Sequence, residues 1–341
     1  MATMSMEHGF LRRLLAYENI VIQCHDNPDS DALASGLAVC RYLQSKGKDA
    51  EFIYSGHKPI DKSNMKYMIH ECQIPVHYIK NQEEIGIPDV LVTVDCQYGQ
   101  ANVTRFEAEH VMIIDHHLQV VEADENYLIK SDYQSCSTIL YELLLEEGYD
   151  VQGDELLKIA LYYGLYIDTS SFHDIYHPED IEMKRRLDIK SPILTRLMNS
   201  TMNTAELMIA CDALYNHSMN LENRFIIVSA LQCDQSILGI IGDLVIQVDI
   251  CLLCLTFSMS DMNYQFSIRC CNDAWKASEV AAFISKDIGS GGGHARKAGG
   301  KISKKTFESI YPGRNMEDYL DERLCAYIQE KKTKKEASSD L

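Results

Sequence analysis

Between residues 19 and 170, short apolar runs alternate with longer segments in which apolar residues recur every three or four positions. The short runs predict β-strands, and the longer segments predict helices that bury one face. Near-continuous apolar strands separated by helices indicate a parallel sheet covered on both faces. The predicted strands are 19–24, 50–55, 90–95 and 111–115, and the predicted helices are 31–47, 136–148 and 154–168.

The pattern changes twice after residue 170. From about residue 172 to 218 it is helical and polar, interrupted by Pro178 and Pro192, which predicts helices that link two domains. Strand-like runs return at 224–231, 249–260 and 263–271, and a helix is predicted at 276–289. The expected fold class is α/β. A parallel-sheet domain covers residues 1–190, a helical linker covers 191–218, and a smaller mixed α/β domain covers 219–341.

Three of the predicted strands end at polar residues. Because the carboxyl ends of parallel strands share one edge of the sheet and bind ligands there, we expect these residues to converge. Two further aspartates come soon after the first strand, and another ends the helix at 154–168. The residues are His25, Asp29 and Asp31 after the first strand, Asp95 after "VLVTV", the run Asp115, His116 and His117 after "VMII", and Asp168.

Carboxylates that converge must be neutralised. Each pair at about 4 Å repels by roughly 4 kcal/mol at an effective dielectric near 20. No lysine or arginine lies close in sequence to Asp29, Asp31 or Asp95. Two divalent metal ions would balance four carboxylates, and mixed oxygen and imidazole ligands suit Mn²⁺ better than Mg²⁺, with Co²⁺ or Zn²⁺ as further options. The structural alternative, in which an aspartate caps the following helix, accounts for one of Asp29 and Asp31 but not both.

Composition narrows the class of protein. The 341 residues are 46% apolar and 24% charged, as in a soluble globular protein. The sequence contains no uninterrupted run of about 18 apolar residues, so no membrane helix is predicted. The net charge of −18 disfavours the binding of long nucleic acid but is compatible with the binding of a short anionic ligand. Most of the twelve cysteines lie in apolar runs, and the N-terminus lacks the features of a signal peptide, so a cytoplasmic location is expected.

Four motifs resemble, in order, those of the DHH phosphoesterase family. They are "HDNPDSDA", "VDC", "DHH" and "GLYIDTSSF". The segment "GSGGGHARKAGG" resembles the glycine-rich signature of the family's associated C-terminal domain. Length and domain order are most similar to the bacterial nanoRNase and phosphoadenosine-phosphate phosphatase branch. The resemblance therefore covers nearly the whole chain.

The resemblance implies a centre with two Mn²⁺ or Mg²⁺ ions. A hydroxide shared between the ions would attack phosphorus, while the ions stabilise the attacking and leaving oxygens. Asp115 would orient its neighbours, and His117 would contact the scissile phosphate. The implied ligands are His25, Asp29 and Asp95 for one ion, and Asp31, Asp95, His116 and Asp168 for the other, with Asp95 as the bridge.

The resemblance also implies a substrate site in the C-terminal domain, so that the active site would lie in the cleft between the domains. Backbone N–H groups of Gly291, Gly292 and Gly293 could cradle an anion. His294 and Arg296 follow directly, in a stretch from residue 288 to 307 without acidic residues. Arg269 would clamp a terminal phosphate.

The expected activity is hydrolysis of a phosphoester in a short oligoribonucleotide, a linear or cyclic dinucleotide, or 3′-phosphoadenosine 5′-phosphate. Three alternatives stay open from the sequence. They are a pyrophosphatase or short-chain exopolyphosphatase, an exonuclease on longer single strands, and a nucleotide sensor without activity. A homodimer is compatible with the sequence, although no segment points to one, and no membrane partner is expected.

Overall fold

The computed structural model describes residues 9–200, 202–272 and 274–339, with side chains up to residue 333. Residues 1–8, part of the segment examined for a signal peptide, lie outside the described residues. The chain divides into two compact units after Thr201. The predicted linker, residues 191–218, contains the last helix of the first unit and the first helix of the second.

A six-stranded, entirely parallel sheet forms the centre of the first unit. The spatial order is β3-β2-β1-β4-β5-β6. The direction of winding reverses between β1 and β4, which is where open α/β sheets bind ligands. The predicted parallel sheet is confirmed for β1 Ile20–Gln23, β2 Glu51–Tyr54, β4 Val90–Val94 and β5 His110–Asp115, and two strands that were not predicted, β3 Val76–Tyr78 and β6 Tyr127–Ile129, form its edges.

Helices build the main core against this sheet. Residues Leu33, Leu37, Leu140 and Leu161 are fully or almost fully buried there. A smaller apolar cluster, which includes Phe106, covers the opposite face. The helices are α1 Phe10–Arg13, α2 Ser30–Ser45, α3 Ser63–Glu71, α4 Cys136–Glu146, α5 Glu155–Asp168, α6 Pro178–Leu187 and α7 Pro192–Asn199, with 3₁₀ turns at Leu14–Ala16, Gln82–Glu84 and Val151–Gly153.

The two prolines in the polar region start helices. Pro178 and Pro192 each occupy the first helical turn, of α6 and α7. Proline fits there because its fixed φ is already helical and its missing N–H has no partner in the helix. The Ser191 hydroxyl also accepts a hydrogen bond of 3.2 Å from the backbone N–H of Ile193. The helical interpretation of this region is therefore confirmed.

A mixed six-stranded sheet, in the order β11-β12-β10-β9-β8-β7, forms the second unit. Only β8 and β9 run parallel. The strands are β7 His217–Asn220, β8 Phe225–Ala230, β9 Leu253–Met259, β10 Asn263–Cys270, β11 Gly289–Gly293 and β12 Lys297–Ser303, and the helices are α8 Thr204–Tyr215, α9 Gln235–Val245, α10 Ala277–Ser285, α11 Lys304–Ile310 and α12 Met316–Ser339. This arrangement confirms the predicted second α/β domain.

Several elements of the second unit, among them β7, β12, α11 and α12, were not predicted from the sequence. Helix α9 was not predicted, and the strand expected at 249–260 begins only at Leu253, because a turn closed by the Cys251 N–H and the Val248 carbonyl separates it from α9. The glycine-rich segment, for which no strand was predicted, forms the edge strand β11. A Cβ atom on Gly291 would lie 2.6 Å from the carbonyl oxygen of Ala281 in α10, so glycine permits the close packing of this strand.

None of the helices in the described ranges has the length and hydropathy that a bilayer-spanning segment requires.

Candidate metal centre

The predicted residues of the first unit converge at the carboxyl ends of three adjacent strands. His25 follows β1, Asp95 follows β4, and Asp115 ends β5. Two groups of ligand atoms, each within 4.8 Å of one another, lie at this edge. We call them the first group (His25, Asp29 and Asp95) and the second group (Asp31, His116 and Asp168). A third set of atoms, from Asp95, His116 and His117, links them.

Asp95 belongs to the first group and also faces the second. Its Oδ2 atom is 3.7 Å from Nε2 of His25, and its Oδ1 atom is 3.3 Å from Nε2 of His116. The backbone of Asp95 has a φ of 58°, a left-handed conformation that aspartate tolerates better than most residues. Its N–H donates a hydrogen bond of 2.9 Å to the carbonyl of Ile114, which fixes this turn to β5. The strand end therefore directs one carboxylate oxygen to each histidine.

Two atoms at the centre are buried and make no hydrogen bond with the described residues. They are Oδ1 of Asp95 and Nε2 of His116. Buried polar atoms of native proteins nearly always have a partner. Nδ1 of His116 lies 3.3 Å from the carbonyl oxygen of Tyr133 and must donate to it, so Nε2 of the neutral ring carries a lone pair. An imidazole lone pair beside a carboxylate oxygen fits a divalent cation.

Asp31 is fully buried and is held by the first turn of α4. The backbone N–H of Cys136 donates to Oδ2 at 2.7 Å, and that of Ser137 donates to Oδ1 at 2.9 Å. The positive end of the α4 dipole adds to this stabilisation. Gly164 of α5 packs close by, because a Cβ atom there would lie 2.4 Å from Oγ of Ser137 and 2.8 Å from Oδ1 of Asp31.

Asp29 has two roles at the start of α2. Its Oδ1 atom caps the helix by accepting hydrogen bonds of 3.0 Å and 3.1 Å from the N–H groups of Asp31 and Ala32. Its Oδ2 atom lies 3.9 Å from Nε2 of His25. Capping and convergence on the site are therefore compatible for the same side chain.

His116 also approaches the carboxylates of the second group. Its Nε2 atom is 3.4 Å from Oδ2 of Asp168 and 4.0 Å from Oδ2 of Asp31. Asp168 is the last residue of α5, and three left-handed residues follow it closely, at Ser170, Ser171 and Phe172. The motif "GLYIDTSSF" thus brings Asp168 to the site at the end of a helix that is followed by a tight reversal.

The carboxylates are electrostatically unfavourable without a cation. Burial, followed by the neighbouring carboxylates, raises the pKa of Asp95 and of Asp168 well above the ordinary value. Burial also raises the pKa of Asp31, although His116 opposes it. Within the described part of the chain, no lysine or arginine pairs with these side chains or with Asp29. The donor set of carboxylate oxygens and imidazole nitrogens therefore fits divalent cations such as Mn²⁺.

Asp115 connects to His117 and to Gln97. Its Oδ1 atom lies 2.8 Å from Nδ1 of His117, and its Oδ2 atom accepts a hydrogen bond of 2.8 Å from Nε2 of Gln97. Burial alone would raise the pKa of Asp115, but the hydrogen bonds from His117 and Gln97 outweigh it and hold the pKa below its ordinary value. An ionised Asp115 keeps the proton of His117 on Nδ1, which leaves Nε2 of the exposed ring as an acceptor or, when protonated, a donor.

The predicted substrate residues all lie in the second unit. Gly291, Gly292 and Gly293 belong to β11, and the turn between β11 and β12 carries His294 and Arg296, both exposed. The His294 N–H donates to the carbonyl of Lys297 at 2.7 Å, which closes this turn. A Cβ atom on Gly292 would meet nothing within 4 Å, so its backbone is open to a ligand.

Arg269 makes protein contacts with most of its guanidinium. Its Nε and Nη2 atoms donate to the two carboxylate oxygens of Asp243 at 2.6 Å and 3.3 Å, and Nη1 donates to Oγ of Ser267 at 2.9 Å. Asp243 belongs to α9, the helix that the sequence analysis missed. The clamp on a terminal phosphate stays a prediction, and a phosphate there would have to compete with Asp243.

Comparison with known families matches residues 19–165 to the DHH family N-terminal domain. This part of the chain is a DHH-family domain. The resemblance to that family is therefore confirmed for the first three motifs, whereas most of the fourth motif and the glycine-rich segment lie beyond the match. The matched region of the DHH domain contains all six strands of the parallel sheet and most of α5, and it ends three residues before Asp168.

Three relatives share part of their sequence with the chain. An uncharacterised protein of Methanocaldococcus jannaschii is 23% identical over 314 residues, which are 91% of this chain and 63% of that protein. The cyclic-di-AMP phosphodiesterase GdpP of Geobacillus thermodenitrificans is 25% identical over 174 residues, 48% of this chain and 26% of that protein. A probable manganese-dependent inorganic pyrophosphatase of Streptococcus mutans is 28% identical over 152 residues, 44% of this chain and 48% of that protein. The chain thus spans less than two thirds of each relative.

Two solved structures share the fold. An exopolyphosphatase-related protein from Bacteroides fragilis has a TM-score of 0.72 at 18% identity, covering 96% of this chain and 98% of that chain. RecJ in complex with Mn²⁺ from Thermus thermophilus has a TM-score of 0.54 at 13% identity, covering 96% of this chain and 55% of that chain. At these identities the likeness concerns the fold alone.

Several residues that shape the DHH domain site were missed by the sequence analysis. Gln97 could have been found as a site residue from its position two residues after Asp95, although this signal is weak. The side chain of Gln97 also accepts hydrogen bonds from the N–H groups of Val120 and Val121, which fixes the loop after His117. Gly164 stands four residues before Asp168 in the fourth motif, and a glycine inside a helix is itself a signal of close packing. The N–H groups of Cys136 and Ser137 gave no signal, because backbone donors are not visible in sequence.

Proposed function

We propose that this chain hydrolyses phosphoester bonds in short nucleotide substrates, using two divalent cations bound around Asp95. The observation that carries the proposal is the position of Asp95, whose two carboxylate oxygens face His25 and His116 at 3.7 Å and 3.3 Å. Each histidine belongs to a separate group of ligand atoms. A carboxylate that faces both groups suits a bridge between two cations.

The proposed ligands follow these groups. The first group, His25, Asp29 and Asp95, would hold one cation, and the second group together with Asp95 would hold the other. Mn²⁺ is the favoured ion because imidazole contributes to both sets. The manganese-dependent relative from Streptococcus mutans, named for that ion, supports this choice.

Beside the cations, Asp115 and His117 would take part in the reaction. Two bound cations would activate water and would stabilise charge on the attacking and leaving oxygens of a phosphoryl group. Asp115 orients His117 through the bond at Nδ1, and His117 would contact the scissile phosphate through Nε2. Asp115 thus serves as the positioning residue, and His117 serves as the residue that contacts the substrate.

The proposed substrate class is a short anionic nucleotide. The net charge of −18 opposes the many phosphate contacts that a long strand requires. A stretch without acidic residues, from residue 288 to 307, contains His294 and Arg296 and offers a local site for phosphate. The GdpP relative, a cyclic-di-AMP phosphodiesterase by name, supports a dinucleotide as one member of this class.

A second candidate is hydrolysis of a phosphoanhydride such as pyrophosphate or short polyphosphate. The observation that favours it is the 28% identity to the probable inorganic pyrophosphatase over 152 residues. A pyrophosphate substrate needs the same cation centre but no recognition of a base. Competition by nucleotide analogues therefore distinguishes the two candidates.

The test is a panel of substrates offered to the Mn²⁺-loaded protein. It contains short RNAs, linear and cyclic dinucleotides, 3′-phosphoadenosine 5′-phosphate, pyrophosphate and a long single strand. We expect turnover of short nucleotides that Asp95→Ala abolishes and His110→Ala, at the opposite end of β5, leaves intact. Near-normal turnover by Asp95→Ala would exclude the bridge, turnover of pyrophosphate alone would favour the second candidate, and no turnover at all would favour a sensor.

A further inference from the structure

The segment from Tyr133 to Thr138 contacts two members of the second group directly. Its first residue, Tyr133, accepts the hydrogen bond from Nδ1 of His116 at 3.3 Å. Its middle residues, Cys136 and Ser137, donate their N–H groups to the two oxygens of Asp31. The position of this segment therefore sets the position of two proposed ligands of one cation.

Asp180 of α6 holds the same segment from another side. This carboxylate is fully buried, with Oδ2 accepting the N–H of Gln134 at 2.9 Å and Oδ1 accepting the hydroxyl of Thr138 at 2.5 Å. His177 approaches Oδ2 with Nδ1 at 3.6 Å. Burial of a carboxylate is costly unless hydrogen bonds compensate it, and both of these bonds come from the turn that holds Asp31.

Gln134 connects this turn to the chain that follows Asp168. Its side-chain carbonyl accepts the N–H groups of Tyr176 and His177 at 2.6 Å and 3.0 Å, and its amide donates to the carbonyl of Asp174 at 2.6 Å. These residues lie between Asp168 and α6. The third member of the second group is thus tied to the same turn.

We propose that Asp180, Gln134 and Thr138 form a clamp that positions the second group and leaves the first group independent. The inference rests on the proposed function, because it concerns one of the two cation positions. Among the described residues, His25 and Asp29 contact Asp95 and the backbone N–H groups at the start of α2, and none of these contacts involves Asp180, Gln134 or Thr138. Opening the clamp should therefore weaken one cation position selectively.

The test counts Mn²⁺ bound to the metal-free full chain, using the electron paramagnetic resonance signal of free Mn²⁺. We expect two equivalents for the wild type. For Asp180→Ala we expect one equivalent with wild-type affinity and the other weakened about 10- to 100-fold, the usual effect of removing a partner that orients a ligand. His25→Ala combined with Asp180→Ala should weaken both positions. Thr138→Val and Asp180→Asn, which change less volume, serve if the alanine variant does not fold.

Asp154→Ala is the matched control. Asp154 accepts the N–H of Leu157 at 3.1 Å and the hydroxyl of Tyr149 at 2.8 Å, so its loss removes a similar pair of hydrogen bonds. It caps α5 at the end remote from Asp168, and two equivalents should still bind with wild-type affinity. Wild-type affinity at both positions in Asp180→Ala and Thr138→Val, or equal weakening of both positions, would overturn the clamp. A wild-type protein that binds fewer than two Mn²⁺ ions would overturn the proposed function and the clamp with it.

Discussion

Nδ1 of His117 lies 2.8 Å from Oδ1 of Asp115, and this hydrogen bond fixes which ring nitrogen of His117 is available to a substrate. Because hydrogen bonds from His117 and Gln97 hold the pKa of Asp115 low despite its burial, Asp115 is a carboxylate that accepts the hydrogen bond from the Nδ1–H group of His117. Asp115 and His117, which lie two residues apart in the sequence, therefore have different proposed roles. Under the proposed function, Asp115 orients the ring of His117, and the exposed imidazole would contact the substrate.

This relationship predicts that His117→Ala lowers kcat/KM about 10- to 100-fold, the range expected for the loss of one hydrogen bond to a charged phosphate. Asp115→Asn should lower it as well, since the amide can donate to Nδ1 and so move the ring proton of His117 to Nε2. Bound Mn²⁺ should stay at two equivalents in His117→Ala. Steady-state kinetics together with metal counting test this, and His110→Ala is the control. Loss of a cation in His117→Ala would show that this ring is a metal ligand instead.

The raised pKa values of Asp95 and Asp168 predict how metal-free protein responds to pH. A carboxyl whose folded-state pKa is raised stabilises the fold fully at a pH below its unfolded value and loses that contribution as pH rises through the folded value. The free energy of unfolding of chelated protein should therefore fall as the pH rises above about 4, the ordinary value of an aspartate, and it should fall more than that of Asp168→Asn. Urea unfolding at several pH values in chelator measures this difference.

Adding Mn²⁺ should reverse this fall, because the cation favours the ionised carboxylates. Groups remote from the centre titrate equally in the wild type and in Asp168→Asn, so the difference reports Asp168 and the carboxyls that interact with it. If the wild type and Asp168→Asn show the same pH dependence in chelator, the electrostatic account of the site is wrong.

Gly164 predicts a packing effect on the second group. An added Cβ atom would lie 2.4 Å from Oγ of Ser137 and 2.8 Å from Oδ1 of Asp31, so Gly164→Ala must displace one of them. Overpacking of this kind costs about 1–3 kcal/mol. Chemical denaturation should show that loss, and Mn²⁺ titration should show weaker binding at one position. If neither the stability nor Mn²⁺ binding changes, the close packing at Gly164 does not affect the second group.

Two neighbouring glycines in β11 predict opposite outcomes. Gly291→Ala should destabilise the second unit by about 1–3 kcal/mol, because its Cβ would lie 2.6 Å from the carbonyl oxygen of Ala281. Gly292→Ala, with nothing within 4 Å, should unfold like the wild type but raise KM if its backbone contacts the substrate. Thermal unfolding and kinetics of the pair separate packing from binding. A Gly292→Ala variant with unchanged KM would remove this glycine from the substrate site.

The first unit could be predicted from sequence because its strands are short, apolar and followed by polar residues. In a parallel sheet the ends of such strands must meet, so His25, Asp95 and Asp115 were placed at one edge without a structure. The hydrogen bonds to Asp31 could not be predicted in this way. They depend on how α4 packs, about a hundred residues further along the chain, and backbone donors leave no mark in the residue pattern.

The second unit was harder to predict for local reasons. The segment "GSGGG" has low strand propensity, and its strand conformation is imposed by pairing with β12 and by packing on α10. The partner of Arg269 lies on α9, whose apolar residues were not assigned to a helix. The phosphate clamp was implied for Arg269 by the family resemblance, and the contact of its guanidinium with Asp243 could not be predicted without α9. The position of the active site between the two units stays a prediction.

Anomalous diffraction at the manganese edge, from crystals of the Mn²⁺-loaded protein, tests the central claim most directly. The account predicts two peaks in the first unit, one on each side of the Asp95 carboxylate. One should be bounded by His25 and Asp29, and the other by Asp31, His116 and Asp168. A single peak, or peaks that do not contact Asp95, would contradict the paired centre.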